Sequence, residues 1–322
     1  MAISSLALGA LPTLATAVLP AGEQLKSGQA IVIRPDRSTV VVEQSSRRAI
    51  PNWSSFSIGQ KERVSVLQPD RSSVLLNRVT GPERSDIRGA LTASGQVFLV
   101  NPNGILFGPN ASVDVGGFVA STLDIADSDF MAGRYRFAGA GSPMEVINQG
   151  TLRAADGGTI ALLGGQVRND GTIVARLGTA GLAASNKITL DFAGDGLTRI
   201  TVDESALRAQ IDQGGVVVAD GGQVVVTARA ADALTETVVN QSGVVRARAL
   251  VERAGRIVLD SGATGVTLVS GTLDASGASL SILRERGRVR RRAAPVWIRR
   301  ARDELVGRCN SPRKRPTFAP GR

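Results

Sequence analysis

Histidine is missing from this chain of 322 residues, and cysteine occurs once, at Cys309. Without imidazole there is no His-based general acid or base, no Ser-His or Cys-His nucleophile pair, and no zinc or haem site of the kind built on it. One thiol forms neither an internal disulfide nor a thiolate cluster, so packing and backbone hydrogen bonds must supply the stability. Aromatic residues make up only 3% of the chain, which suits a narrow interior of Ala, Val, Ile and Leu. After the first residues, no apolar run is long enough to span a bilayer as a helix. The length is ample for a large core in one elongated domain or two compact ones.

Positive charge is in excess, 38 Lys+Arg against 28 Asp+Glu, a net of +10 that on its own suggests a nucleic-acid or anionic-surface binder. The excess is local. Residues 280–322 hold 14 basic and 3 acidic residues, net +11, which leaves 24 and 25 for residues 1–279, net −1. The tail reads RERGRVRRR from Arg284 to Arg292, then IRRAR at 298–302 and PRKRP at 312–316, with little apolar periodicity, and it is expected to be disordered. Its roles stay open at this level: an electrostatic arm for nucleic acid or acidic lipid, a solvated run, or translation out of the original frame. The abrupt switch after Gly277 fits the last best.

The other end is apolar. Met1 to Gly22 carries no charge, and Ala15-Thr16-Ala17 fits the small-x-small pattern that precedes signal-peptide cleavage. Residues 1–21 are therefore expected to be a signal peptide cut near Ala17 or Ala21, although no Lys or Arg precedes the apolar run. The rival reading is a buried strand or helix, and Pro12 and Pro20 count against a long helix.

Between Gln24 and Gly277, short β-branched runs alternate with Gly, Asn and Asp: AIVIR (30–34), STVVVE (38–43), VSVLQ (64–68), SVLLNRV (73–79), QVFLV (96–100), VVVA (216–219), QVVVTA (223–228) and RIVLD (256–260). Such runs predict strands. One short helix is expected near Asp203–Ile211, where DESALRAQI has an acidic start and apolar spacing. The phrase VINQGTLRA (146–154) recurs as VRNDGTIVA (167–175), with looser echoes in VVNQSGVVRA (238–247) and VSGTLDASG (269–277). DGGTIALLGG (156–165) is likewise echoed at 220–228 and 254–262.

A unit near 20 residues cannot bury its own apolar face, but stacked units can, so the repeats predict an all-β solenoid of about a dozen coils, roughly 55 Å long. Its open first coil needs a cap, for which the less repetitive segment before Asn148 is the candidate. Asn148, Asn169 and Asn240 form a candidate asparagine ladder at equivalent turns; simple tolerance of left-handed turn geometry explains them equally well. An enzymatic alternative, a β-helical polysaccharide lyase or hydrolase, would draw on Asp191, Asp195, Asp203 and Glu204. No repeated carboxylate spacing supports it.

The most specific stretch runs from Asn52 to Thr122. It contains SFSIG (55–59), LNRVTG (76–81), SDIRGALTASGQVFLVNPNGILFG (85–108) and VGGFVASTLDI (115–125). At its centre a strand ends in Asn101-Pro102-Asn103-Gly104-Ile105. Asn101 can bond the turn backbone, Pro102 presets φ, Asn103 suits the bridge region and Gly104 allows the exit, after which Ile105 and Phe107 re-enter the core.

In this context the segment closely resembles the haemagglutination-activity, or two-partner secretion, domain of filamentous-haemagglutinin-like exoproteins of Gram-negative bacteria, over about residues 22–145. The resemblance implies a right-handed parallel β-helix with an N-terminal β cap, continued as β-helix repeats over 146–279, with the basic tail at 280–322. It implies a secreted or cell-surface protein that passes through the periplasm. The partner it implies is an outer-membrane transporter with periplasmic polypeptide-transport-associated domains, with host-cell or matrix glycans as further candidates; no nucleic acid, cofactor, metal or enzymatic activity is expected. Asn101, Pro102, Asn103, Gly104 and Ile105 match the family's secretion motif. A second asparagine-proline-asparagine motif, present in part of the family, is absent, and relatives usually continue much further into an adhesin, haemolysin or toxin.

Overall fold

In the computed structural model, residues 19–139, 144–192, 197–206, 208–230, 237–250, 255–262, 265–276 and 288–291 are described. The chain winds through three long sheets of nine, eight and ten strands. Successive turns pair in parallel: Gly117–Ser121 lies between Gln96–Val100 and Thr159–Gly164 on the first face, and Ser112–Val115 between Ala90–Ala93 and Thr151–Ala154 on another. This is a parallel β-helix. At its N-terminal end two strands run antiparallel to the rest and form the cap: Gln24–Ser27 pairs with Arg48–Trp53, and Ala30–Ile33 with Thr39–Gln44.

The strands expected from the β-branched runs are present, for instance Gln96–Val100, Gln223–Ala228 and Arg256–Asp260. Strands exposed on one side alternate, as Glu145–Asn148 and Thr151–Ala154 do, because successive side chains point to opposite faces. Inward residues such as Val113, Leu152, Ile173 and Val217 stack into one long core. Two lines of glycine mark the corners. A Cβ at Gly171 would stand 2.2 Å from the Gly150 carbonyl oxygen, and one at Gly215 2.1 Å from that of Gly171, so each coil can sit on the last only where no side chain intervenes. The second line runs through Gly116, Gly158, Gly178 and Gly222 in the same way.

Three expectations are corrected. The number of strands per face gives about nine coils and a rod of about 40 Å, not a dozen coils. The missing length leaves the helix in two excursions. After Gly117–Ser121 the chain builds Asp124–Ile125, a short helix Asp127–Met131 and Tyr135–Ala138; after Thr179–Ala184 it builds Lys187–Asp191 and Arg199–Glu204. Together these strands form a separate four-stranded antiparallel sheet.

The helix expected at Asp203–Ile211 is not there, because Arg199–Glu204 is drawn into that sheet and Gln210–Gln213 into a coil. Residues Arg288–Arg291, inside the tail expected to be disordered, add a strand parallel to Val266–Val269 at the end of the rod. The remainder of that tail and residues 1–18 lie outside the described residues.

The extra sheet explains why Thr159–Gly164 and Thr179–Ala184 are buried along their whole length. One side faces the solenoid interior and the other a second core of Ile50, Leu76, Phe98, Val119, Leu163 and Ile188 with Phe130, Tyr135 and Phe137. The aromatic residues among those described gather in clusters. Phe98 has ring centroids 5.1 Å from Tyr135 and 5.8 Å from Phe130, while Trp53–Phe56 and Phe107–Phe118 are edge-to-face pairs within the main core.

Candidate functional site

The Asn101–Ile105 segment joins Gln96–Val100 on one face to Ile105–Phe107 on the next. The Gly104 N–H donates to the Asn101 carbonyl (3.1 Å), closing a four-residue turn. Gly104 leaves that turn at φ +105°, a region that side chains disfavour. Asn101 is fully buried, and its side chain is satisfied on both sides. Its Oδ1 accepts from the Asn103 N–H (2.9 Å), and its Nδ2 donates to the Glu83 carbonyl (3.0 Å) and to Ser85 Oγ (3.0 Å).

Asn103 Nδ2 reaches the Gly81 carbonyl (2.8 Å). Gly81 in turn lies so close to Ser54 that a Cβ would stand 2.0 Å from its carbonyl oxygen. Three stretches quoted from the sequence, those around Ser55, Gly81 and Asn101, thus meet at one corner. Pro102 is the exposed member of the motif, whereas Ile105 is buried beside Phe107 in the core.

Two neighbouring residues carry structure that the motif alone did not reveal. Asn77 Oδ1 accepts from Trp53 Nε1 (3.0 Å), and its Nδ2 donates to the Phe98 carbonyl (3.4 Å), so a buried amide joins three coils. Arg78 reaches the opposite way, pairing with Asp124 (2.9 Å), Asp127 and the Ile125 carbonyl, and so fastens the first excursion to the rod. Burial alone would lower the Arg78 pKa, but the two carboxylates outweigh it and hold the guanidinium charged. The sequence signal for both was LNRVTG, whose buried register seats Asn77 inside and Arg78 outside.

A column of buried amides runs through Asn148 and Asn169, and a glutamine takes the next place. Asn148 Nδ2 donates to Asn169 Oδ1 (2.7 Å), and Asn169 Nδ2 donates to Gln213 Oε1 (2.7 Å), all three side chains being fully buried. Asn240 is not a rung. It pairs in register with Asp212, while Gln241 pairs with Gln213, so alternation turns Asn240 outward and Gln241 inward. Among the described residues, Asn240 Nδ2 meets Asp212 Oδ1 alone, at 3.4 Å. Counting back two residues from the corner glycines Gly150, Gly171, Gly215 and Gly243 finds the inward position each time.

The described carboxylates of the enzymatic alternative do not converge. Asp203 accepts from Thr189 Oγ1 (2.6 Å), Glu204 lies opposite Lys187, Asp191 lies opposite Arg199 at the other end of the hairpin, and Asp195 is outside the described residues. Among the described residues there is no cluster of acids that could hold a metal ion and no helix that could cross a membrane.

A capped parallel β-helix with a buried Asn101 at an Asn-Pro-Asn-Gly corner is the architecture that the sequence resemblance implies for β-helical exoproteins. Residues 16–286 match the model described as the TPS, or two-partner secretion, domain, and the chain belongs to that family. Among solved structures it is similar to the HMW1 secretion domain from Haemophilus influenzae, at 30% identity and a TM-score of 0.68, covering 80% of this chain and 74% of that one. Among curated proteins it is similar to a heme/hemopexin-binding protein of Haemophilus influenzae strain Rd, 29% identical over 208 residues, 62% of this chain and 22% of the relative. A second heme/hemopexin-binding protein of that species is 34% identical over 123 residues, 38% of this chain and 13% of the relative. The chain thus spans about a fifth or less of the curated relatives it matches. Domains of this family belong to secreted exoproteins and are recognised by an outer-membrane transporter.

Proposed function

We propose that residues 22–277 are read by their transporter while unfolded and then nucleate β-helix folding outside the cell. The apolar stretch within residues 1–21 carries the export signal, the periplasmic polypeptide-transport-associated domains of the transporter receive an extended strand by edge addition, and coil stacking biases movement outward without nucleotide. The observation that carries this reading is the satisfaction of the motif: every side-chain bond described for Asn101 and Asn103 runs to their own turn or to residues 81–85. A partner that reads those amides must do so before the coil closes. Passenger functions, whether heme or hemopexin binding as named for the curated relatives or the adhesion to host or matrix glycans that the sequence resemblance implies, would lie in chain beyond this module.

The test compares Asn101→Ala with a core variant of matched stability loss, such as Val113→Ala, each co-expressed with the transporter and also refolded in vitro. Recognition through the motif predicts a secretion defect at Asn101→Ala well beyond that of Val113→Ala. Equal secretion at equal stability would reduce the motif to a turn-former, and undiminished secretion of Asn101→Ala would remove it from the mechanism.

A further inference from the structure

The cap starts earlier than its first strand. Leu19 packs against the main core and Pro20 is buried. The Ala21 N–H donates to the Ser55 carbonyl (3.0 Å), and the Ala21 carbonyl accepts from the N–H groups of Ser54 (3.0 Å) and Ser55 (3.2 Å), an antiparallel bridge between the chain's entrance and the end of the Arg48–Trp53 strand. Arg34, just past Ala30–Ile33, donates to the Pro20 carbonyl (3.0 Å) and grips the Glu23 carboxylate through both terminal nitrogens, at 2.6 and 2.7 Å. Leu19, Pro20 and Ala21 are therefore built into the domain, although Ala21 lies inside the apolar opening segment that the sequence assigns to export.

This separates the two cleavage positions. A cut after Ala21 would take Leu19 from the core, leave the Ser54 and Ser55 amides and the Ser55 carbonyl without partners, and put a charged amine at the edge of the bridge. A cut after Ala17 leaves all of these contacts in place, and it follows a small-x-small triplet, Ala15-Thr16-Ala17, whereas the triplet ending at Ala21 begins with the bulky Leu19.

We propose that the Ala17–Val18 peptide bond is the processing site, and that Leu19–Ala21 stays on the mature protein as the outermost rung of its cap. The step is a hydrolysis: water adds across the C–N bond, Ala17 leaves with a new carboxylate, and Val18 keeps the free amine. A consequence is an order of events. Only Val18 separates the cut from the docked rung, and a peptidase needs extended chain on both sides of the bond, so cleavage comes before the cap closes.

The inference rests on the export reading of residues 1–21, and one experiment keeps the two apart. The full chain is expressed with its transporter in a Gram-negative host, and the exported protein is identified by N-terminal sequencing and intact mass. A start at Val18 is the expected result; a start at Gly22 on exported protein would overturn the assignment while leaving export intact, and an unprocessed chain confined to the cytosol would overturn both. Ala17→Arg is expected to cut the processed fraction at least tenfold, while Ala21→Arg, whose side chain is exposed and whose backbone makes the bridge, is processed as before; the reverse pattern would refute the site. Purified protein starting at Val18 should also melt higher than protein starting at Gly22, and equal melting temperatures would contradict the structural role given to Leu19–Ala21.

Discussion

Replacing Asn169 by alanine tests the amide ladder where the structure makes it strongest. The substitution removes the acceptor of Asn148 Nδ2 and the donor to Gln213 Oε1, both at 2.7 Å and both fully buried. A buried polar group left without its partner costs about 1–3 kcal/mol, so the pair sums to about 2–6 kcal/mol. The loss falls on two interfaces at once, because Asn169 stands between the coil of Asn148 and that of Gln213. Asn240→Ala is the control. It looks equivalent in sequence, yet it gives up one 3.4 Å contact at a half-buried position, and its effect should stay within about 0.5 kcal/mol. Urea unfolding followed by far-ultraviolet circular dichroism reads both as shifts in midpoint, with similar slopes expected for the two variants. Equal losses for Asn169→Ala and Asn240→Ala, or a loss below about 1 kcal/mol for Asn169→Ala, would show that the buried column does not hold the coils together.

Further expectations concern the corners, the excursion and the cap. Gly171→Ala places a methyl 2.2 Å from the Gly150 carbonyl oxygen and should lower the urea midpoint by an amount worth at least about 1–3 kcal/mol; a neutral result would mean that the corner can open without cost. Arg78→Ala frees Asp124, Asp127 and the Ile125 carbonyl, so limited proteolysis should cut first within residues 124–138, where the wild type should resist. In the cap, the hydrogen bonds from Arg34 hold the Glu23 carboxyl below its usual pKa. A carboxylate with a depressed folded pKa contributes stability that is present above its unfolded pKa and is lost as pH falls through the folded one. Melting temperature should therefore drop on acidification through and below the ordinary glutamate range, with Glu23→Gln lower than wild type at neutral pH and less dependent on pH in that range; parallel pH curves for the two proteins would refute the linkage.

Much of the rod was legible because its strands are written in short β-branched runs between turn formers, and QVFLV and RIVLD became strands with the expected bounds. What escaped was set by partners distant in the chain. DESALRAQI has helical spacing, but Arg199–Glu204 has a strand to pair with in Lys187–Asp191, and that pairing overrides local preference. The helix that does form, Asp127–Met131, has Asp127 and Asp129 in its first turn but is too short to show a period. Asn240 resembles a rung only in a letter-by-letter alignment of the repeats, whereas the chain keeps its register from the corner glycines. The Asn101 corner was readable as a turn. Its ties to Gly81, Glu83 and Ser85 were not, since nothing in a tetrapeptide says which earlier coil it will face.

The four-stranded sheet outside the helix also sets a clock. Its strands come from two excursions separated by two complete coils, and Phe137, already paired with Ile125, meets its second register partner only when Ile188 arrives. A chain that emerges N-terminus first will have wound the strands that carry Phe98 and Val119 before Lys187–Asp191 has come through. During that interval the cluster of Phe98, Phe130, Tyr135 and Phe137 has no lid of its own. Growth of the rod thus contains a delay of fixed chain length between laying an oily surface and sealing it, and the neighbourhood in which those coils first appear must keep that surface from sticking to anything else.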